Sequence, residues 1–230
     1  MRIFGIQKLT LLDFPGKVAA TIFLGNCNMR CPFCHNSHLV TNINAKDEIP
    51  KSEIMSFLEK RVGVLDGVAI TGGEPLCSEG VFDFIKEIRN MGYAIKLDTN
   101  GTFAHKLKEL VLGGYIDYVA MDIKNSLESY GKTVGIQNFD TKAIQESADF
   151  LINGDFPYEF RTTVVKQFHT ATDIENMAKR FSGAKAFFLQ CFVDSGNTIE
   201  SGLEPCTKQE MLMFAEIMRK YIPNTRLRGV

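Results

Sequence analysis

The feature that most constrains this chain is a regular exchange between two hydrophobic periods. Short β-branched apolar runs alternate with stretches whose apolar residues recur every three or four positions. VAATIFL (18–24), GVAITGG (67–73), YAIKLDTNG (93–101), IDYVAMDIK (116–124), YEFRTTVVK (158–166) and AKAFFLQCF (184–192) read as strands. Residues 49–62 carry Ile54, Phe57, Leu58 and Val62 on one helical face. Residues 78–92 carry Val81, Phe84, Ile85 and Ile88, with Ser78 as the expected N-cap and Gly92 as the stop. Further helices are expected over 103–113, 140–153, 172–182 and 208–222, the last ended by Pro223. Strands alternating with helices call for a parallel sheet with right-handed crossovers. Six such units are too few to close an eight-stranded barrel. An open, partial (β/α)6 barrel and a doubly wound sheet both fit, and both place chemistry at the C-terminal ends of the strands. A chain of 230 residues that is 45% hydrophobic can bury one sizeable core. A single domain over 1–230 is therefore expected, with its core at about 18–200, and with segment 1–17 and helix 208–222 packed on it.

The formal net charge is −1, from 26 basic and 27 acidic residues, and no basic stripe suggests a nucleic-acid partner or an anionic membrane. The first 17 residues are interrupted by Lys8, Asp13 and Lys17, which argues against a secretory leader. No uncharged apolar run reaches the length of a membrane span, so a cytoplasmic location is expected. In that reducing setting the six cysteines do not form a disulfide framework, and tight cysteine spacing points to metal or redox chemistry. Cys77, Cys191 and Cys206 are isolated and read as small buried side chains.

Polar residues collect where the strand-end rule wants them. The first strand runs into a cysteine loop, the second ends in TGGEP (71–75), the third in DTNG (98–101) and the fourth in MDIK (121–124). Arg161 lies in the fifth strand and Gln190 at the end of the sixth. Taken singly, each has an ordinary structural explanation, such as a turn for DTNG or an ion pair for Arg161. Their joint placement at six strand ends weakens that explanation.

The cysteine loop, GNCNMRCPFCHN (25–36), holds Cys27, Cys31 and Cys34, followed by His35 and His38. Three readings compete. A zinc site could add His35 or His38, although no distant second ligand pair is present to complete a structural zinc centre. CPFCH matches a c-type haem attachment pattern, which leaves Cys27 surplus. Three thiolates could instead hold a four-iron cluster, leaving one iron with an open position, the mark of a catalytic rather than a structural metal centre.

The C-x3-C-x-(aromatic)-C pattern of Cys27, Cys31, Phe33 and Cys34, followed by TGGEP after the next strand, resembles the radical S-adenosylmethionine (SAM) superfamily. The segment LLDFPGKVAATIFLGNCNMRCPFCHN, with DTNG and MDIK, is similar to glycyl-radical-enzyme activating proteins. With FRTTVV added, it looks most like those of anaerobic ribonucleoside-triphosphate reductase, and next like pyruvate formate-lyase activating enzymes. The resemblance covers about residues 5–200 and implies the partial barrel and an oxidoreductase. It implies a [4Fe-4S] cluster on Cys27, Cys31 and Cys34, with SAM on the fourth iron. Phe33 would lie beside the adenine, Gly72, Gly73 and Glu74 would meet the methionyl ammonium, and Asp98 and Asn100 would reach the ribose or a nearby cation. Asp122 and Lys124 would flank the methionine moiety, and Arg161 would be a second carboxylate or ribose partner. A monovalent cation could sit among Asp98, Thr99 and Asp122. Gln190 stands where the formate-lyase type has a histidine, a departure that touches one ribose contact. The implied partners are a glycyl radical enzyme, anaerobic ribonucleotide reductase first, and flavodoxin or a similar electron donor. A small-molecule enzyme of the 7-carboxy-7-deazaguanine synthase type stays open as an alternative, as does a non-catalytic zinc or haem module.

Overall fold

The computed structural model describes all 230 residues. The strands follow chain order along one eight-stranded sheet that is not closed. All six expected strands form: β2 (Ala19–Leu24), β3 (Gly67–Gly72), β4 (Ala94–Thr99), β5 (Tyr118–Asp122), β6 (Tyr158–Val164) and β7 (Phe187–Cys191). Two more were not expected. β1 (Ile3–Thr10) pairs antiparallel with β2, and β8 (Thr225–Arg228) pairs parallel with β7. The pairs β2–β3, β3–β4 and β6–β7 are parallel, so the chain has the open, mostly parallel α/β architecture that the alternation calls for. No helix is long and apolar enough to cross a membrane.

The chain divides into two compact units. The first comprises Met1–Asn28, His38–Thr99 and His105–Val119. Its helices include α1 (Lys51–Glu59) and α2 (Val81–Asn90). α2 buries Val81, Phe84, Ile85 and Ile88, the face its periodicity predicts, while β3 and β4 supply Val68, Ile70, Ile95 and Leu97. α2 does not begin at Ser78. The N-cap is Gly80, at φ 77°, a left-handed turn that glycine adopts without a Cβ penalty. Ser78 instead closes the 3-10 turn Pro75–Cys77, donating its N–H to the Pro75 carbonyl at 3.0 Å. α1 is shorter than its apolar pattern: it buries Ile54 and Leu58, whereas Val62 lies beyond its end and is 53% exposed.

The second unit comprises Met29–Ser37, Asn100–Ala104 and Ala120–Val230. It holds α4 (Tyr130–Val134), α5 (Lys142–Asn153), α6 (Ala171–Arg180) and α7 (Lys208–Arg219), with α3 (Ala104–Leu112) falling largely in the first unit. Its core is aromatic around Phe160, whose ring meets Tyr158 at 4.9 Å, Phe181 at 5.9 Å and Phe187 at 6.0 Å. β8 is fastened by Arg228, which forks onto the buried Glu159 through two 2.9 Å bonds and lies 3.6 Å over the Phe188 ring.

α6 and α7 both open on complete capping boxes, Thr170 with Asp173 and Thr207 with Glu210. Each threonine hydroxyl accepts an otherwise orphaned N–H of the first turn. Replacing Thr207 by Ala is expected to cost about 1 kcal/mol. It should appear as a lower urea midpoint with an unchanged denaturant slope.

Candidate active site

In the first unit the site grows from the end of β2. Gly73 donates its N–H to the Leu24 carbonyl and Glu74 to the Asn26 carbonyl, both at 2.8 Å. This contact is closer than any side chain allows. A Cβ on Gly72 would lie 2.2 Å from the Leu24 oxygen, and one on Gly73 would lie 2.0 Å from the Asn26 oxygen. The two glycines therefore let TGGEP pack onto the strand that delivers Cys27. Asn26 is bent into the left-handed region at φ 79°, which asparagine tolerates better than most residues. Its N–H reaches the Leu39 carbonyl at 2.8 Å and its side-chain oxygen accepts the Cys27 N–H at 3.0 Å.

The Glu74 side chain is fully buried. It accepts the Leu76 N–H at 3.0 Å and the Thr99 hydroxyl at 2.9 Å, so both its carboxylate and Thr99 are engaged within the chain. Asp98 is in a tight ion pair with Lys96, whose side chain is 3% exposed. Cys77, three residues beyond Glu74, is pushed up to about 12, first by burial and then by the charges of Glu74 and Cys27. It is a neutral thiol at neutral pH.

The chain passes into the second unit between Asn28 and Met29, inside the C-x3-C spacing. Cys31 is buried and its carbonyl accepts the Cys34 N–H at 3.0 Å. Burial raises the Cys34 thiol, while the Asn36 N–H and then the charges of Lys124 and Arg30 pull the other way. Phe33 is 4% exposed and packs against Phe168, with ring centroids 5.7 Å apart. The same segment is laced to the loop after β7. Glu200 donates its N–H to the Pro32 carbonyl at 2.9 Å, and the Ser37 hydroxyl donates to the Asn197 carbonyl. His35 stacks on Phe192 at 5.4 Å, with its Nε2 2.8 Å from the Val193 carbonyl.

Three predicted residues meet at the end of β5 and the middle of β6. The Asp122 carboxylate takes Arg161 Nε at 2.8 Å on one oxygen and Lys124 Nζ at 3.1 Å on the other. Burial alone would raise the Asp122 carboxyl, but the two cations outweigh it and hold it down at about 2. Burial likewise works against the Lys124 ammonium, yet Asp122 and, behind it, Cys31 and Tyr130 raise it above the ordinary lysine value. Asn100 closes an Asx turn, its oxygen accepting the Thr102 N–H at 3.0 Å and the Thr102 hydroxyl at 2.6 Å. Gln190 stands half-buried on β7, in register with Thr163 of β6 and Arg228 of β8.

Sequence reasoning missed Asn26, Tyr130 and His169, each of which shapes the backbone at a predicted residue. Asn26 carried a usable signal, an asparagine between a glycine and a cysteine at a strand end. The other two lie in stretches with no motif.

The family model of the Radical SAM superfamily matches residues 21–181. Over 235 residues the chain is 30% identical to a protein of Methanocaldococcus jannaschii named as a candidate glycyl-radical enzyme activating enzyme, covering 99% of this chain and 96% of that one. It is 27% identical over 143 residues to the 7-carboxy-7-deazaguanine synthase of Thermoplasma acidophilum, 62% of this chain and 64% of that one. A solved domain of the pyruvate-formate lyase-activating enzyme from Bacteroides vulgatus is similar in fold, with a TM-score of 0.57 at 18% identity, over 71% of this chain and 99% of that one. The chain belongs to the radical SAM superfamily and is a radical SAM oxidoreductase.

Membership implies an iron–sulfur cluster and SAM, and the residues present fit them. The cysteine segment supplies three thiols, none of them in a disulfide, and thiolates are the soft ligands an iron–sulfur cluster takes. Lys124 and Arg30 bear on Cys34, so cationic charge is at hand to offset thiolates.

The position of Asp122 fixes a sign for acid sensitivity. Its carboxyl titrates at about 2 in the folded chain against 3.8 as an ordinary aspartate. The stability it contributes is complete above the unfolded value and is lost as the pH falls through the folded one. Urea unfolding between pH 5 and pH 2 is expected to show a steeper loss for the wild type than for Asp122→Asn (pH range set by linkage, about those bounds). The variant should also be the less stable protein at neutral pH, because Arg161 and Lys124 lose their shared partner.

Proposed function

We propose that this protein is a glycyl-radical-enzyme activase. The observation that carries this reading is similarity along nearly the whole chain to a candidate enzyme of that kind, 30% identical over 99% of the residues. In this reading Cys27, Cys31 and Cys34 would hold a [4Fe-4S] cluster, and SAM would bind with it. The chemistry that the bound cluster supplies is reductive cleavage of SAM to methionine and a 5′-deoxyadenosyl radical, which takes a hydrogen atom from the Cα of one glycine of the partner enzyme.

The chain's own residues bind and orient. Lys124 and Arg161 offer cationic charge to the SAM carboxylate, Lys124 as a point charge and Arg161 as a planar fork. The peptide groups of Gly72, Gly73 and Glu74 receive the methionyl ammonium, with the Glu74 side chain holding that turn rather than touching the ligand. Phe33 offers a flat apolar face to the adenine, and Asn100 and Gln190 offer amides to the ribose. Asp98, Thr99 and Asp122 remain candidates for a monovalent cation. Among partners, anaerobic ribonucleoside-triphosphate reductase fits the sequence pattern best, with flavodoxin or a similar protein as electron donor.

Anaerobically reconstituted protein is expected to carry about four irons and four sulfides per chain. Substituting any one of the three cysteines by alanine should lower that content and abolish SAM cleavage. Mixed with SAM, a reductant and the reductase, the wild type should give the electron spin resonance doublet of a glycyl radical. Failure to produce it on any glycyl radical enzyme of the host would sink the activase reading. Turnover of SAM on a small heterocycle with no protein partner would favour the deazaguanine synthase type instead.

A further inference from the structure

Lys124 is gripped at both of its peptide groups by buried side chains. Its N–H donates to the Tyr130 hydroxyl at 3.3 Å, and its carbonyl lies 2.9 Å from His169 Nε2. Tyr130 is 0% exposed and His169 is 3% exposed, so neither contact competes with water. The partners of the imidazole fix its tautomer. Nε2 faces only the Lys124 carbonyl, an acceptor, so it bonds there only by carrying a proton. Nδ1 lies 3.1 Å from the Val165 N–H and 3.2 Å from the Val165 carbonyl, and in the neutral ring with its proton on Nε2 it accepts the first. Burial acts in the same direction, pushing His169 below its ordinary value and keeping the ring neutral.

The next residue is tied down by the same two segments. Asn125 donates from its amide to Thr133 Oγ1 and to the Phe168 carbonyl, both at 2.8 Å. Residues 124 and 125 are thus held between α4 on one side and the turn after β6 on the other. A lysine side chain is long and rich in rotamers, so an ammonium is aimed only as well as the backbone at its root is fixed. Here that root is fixed, and the ammonium stands 3.1 Å from Asp122.

We propose that His169 is a positioning residue for SAM: its Nε2–H bond to the Lys124 carbonyl sets the backbone from which the Lys124 ammonium meets the SAM carboxylate. This rests on the activase reading's assignment of Lys124 to SAM. The imidazole transfers no proton and touches no ligand; it acts through Lys124 alone.

A double-mutant cycle on SAM affinity tests it, using equilibrium dialysis of the anaerobically reconstituted chain with labelled SAM. His169→Asn keeps a polar atom near the Nδ1 position but is too short to reach the Lys124 carbonyl. His169→Gln can place an amide N–H where Nε2 stands. His169→Asn is expected to weaken SAM binding about tenfold when Lys124 is present, and less than about twofold in a Lys124→Met background. His169→Gln should restore affinity to within about threefold of the wild type. Equal losses in both backgrounds, or a Gln variant as weak as the Asn variant, would overturn the proposal. Iron content and thermal midpoint show whether each variant is folded and loaded, and His169→Phe runs the same cycle if the Asn variant is not. A wild type that holds the cluster but binds no SAM would overturn the activase reading and this inference together. A wild type that binds SAM, with additive losses, would overturn this inference alone.

Discussion

The backbone of TGGEP lies against the end of β2 with no space for a single extra carbon. That exclusion governs the first unit's part of the site. Because Gly72 and Gly73 have no Cβ, β3 can stay in parallel register with β2 to its last residue, Leu24 opposite Gly72. The two strand ends then exchange backbone bonds rather than side-chain contacts. Asn26 turns the chain where those bonds end, and Cys27 follows. Glu74, drawn into the interior by the same close packing, uses its charge on Leu76 and Thr99. A buried carboxylate is tolerable only when donors surround it, and the turn supplies them.

The second unit solves a different problem, holding charge in place without side-chain freedom. Asp122 lies between one guanidinium and one ammonium, so each ion of the trio offsets part of another's desolvation. Removing Asp122 would take from both cations the carboxylate they share. The polar frame behind Lys124 serves the same end. Tyr130, His169, Asn125 and Thr133 are all buried, and their bonds run to backbone or to one another. Such a frame is rigid because every member is engaged.

Much of this was legible in the sequence, for identifiable reasons. The six central strands carry long apolar runs that owe little to their neighbours, so their pattern announced them. β1 and β8 did not, because an edge strand mixes Gly, Gln, Lys and Arg with apolar residues and gains its order from the strand beside it. The start of α2 was misplaced because serine is the better cap on average, yet here a glycine at positive φ makes the turn. At the site, cysteine spacing and the glycine pair were readable because both are strict geometric demands. The commitment of Glu74 to its own turn was not readable, since a buried and an exposed glutamate look alike in sequence. His169 was illegible for a related reason. Its partners are backbone groups at Lys124 and Val165, which leave no mark on residue identity.

The lacing of the cysteine segment to the loop after β7 runs almost wholly through main-chain carbonyls, at Pro32, Val193 and Asn197. Every residue has a carbonyl, so those bonds constrain the path of residues 193–200 while leaving their side chains unspecified. Val193, 63% exposed, illustrates the freedom. A loop of this kind can be rewritten by evolution at its outer face, while its inner edge goes on bracing the residues around Cys31 and Cys34. The fold thereby separates what must be kept from what can diverge, within a single stretch of chain.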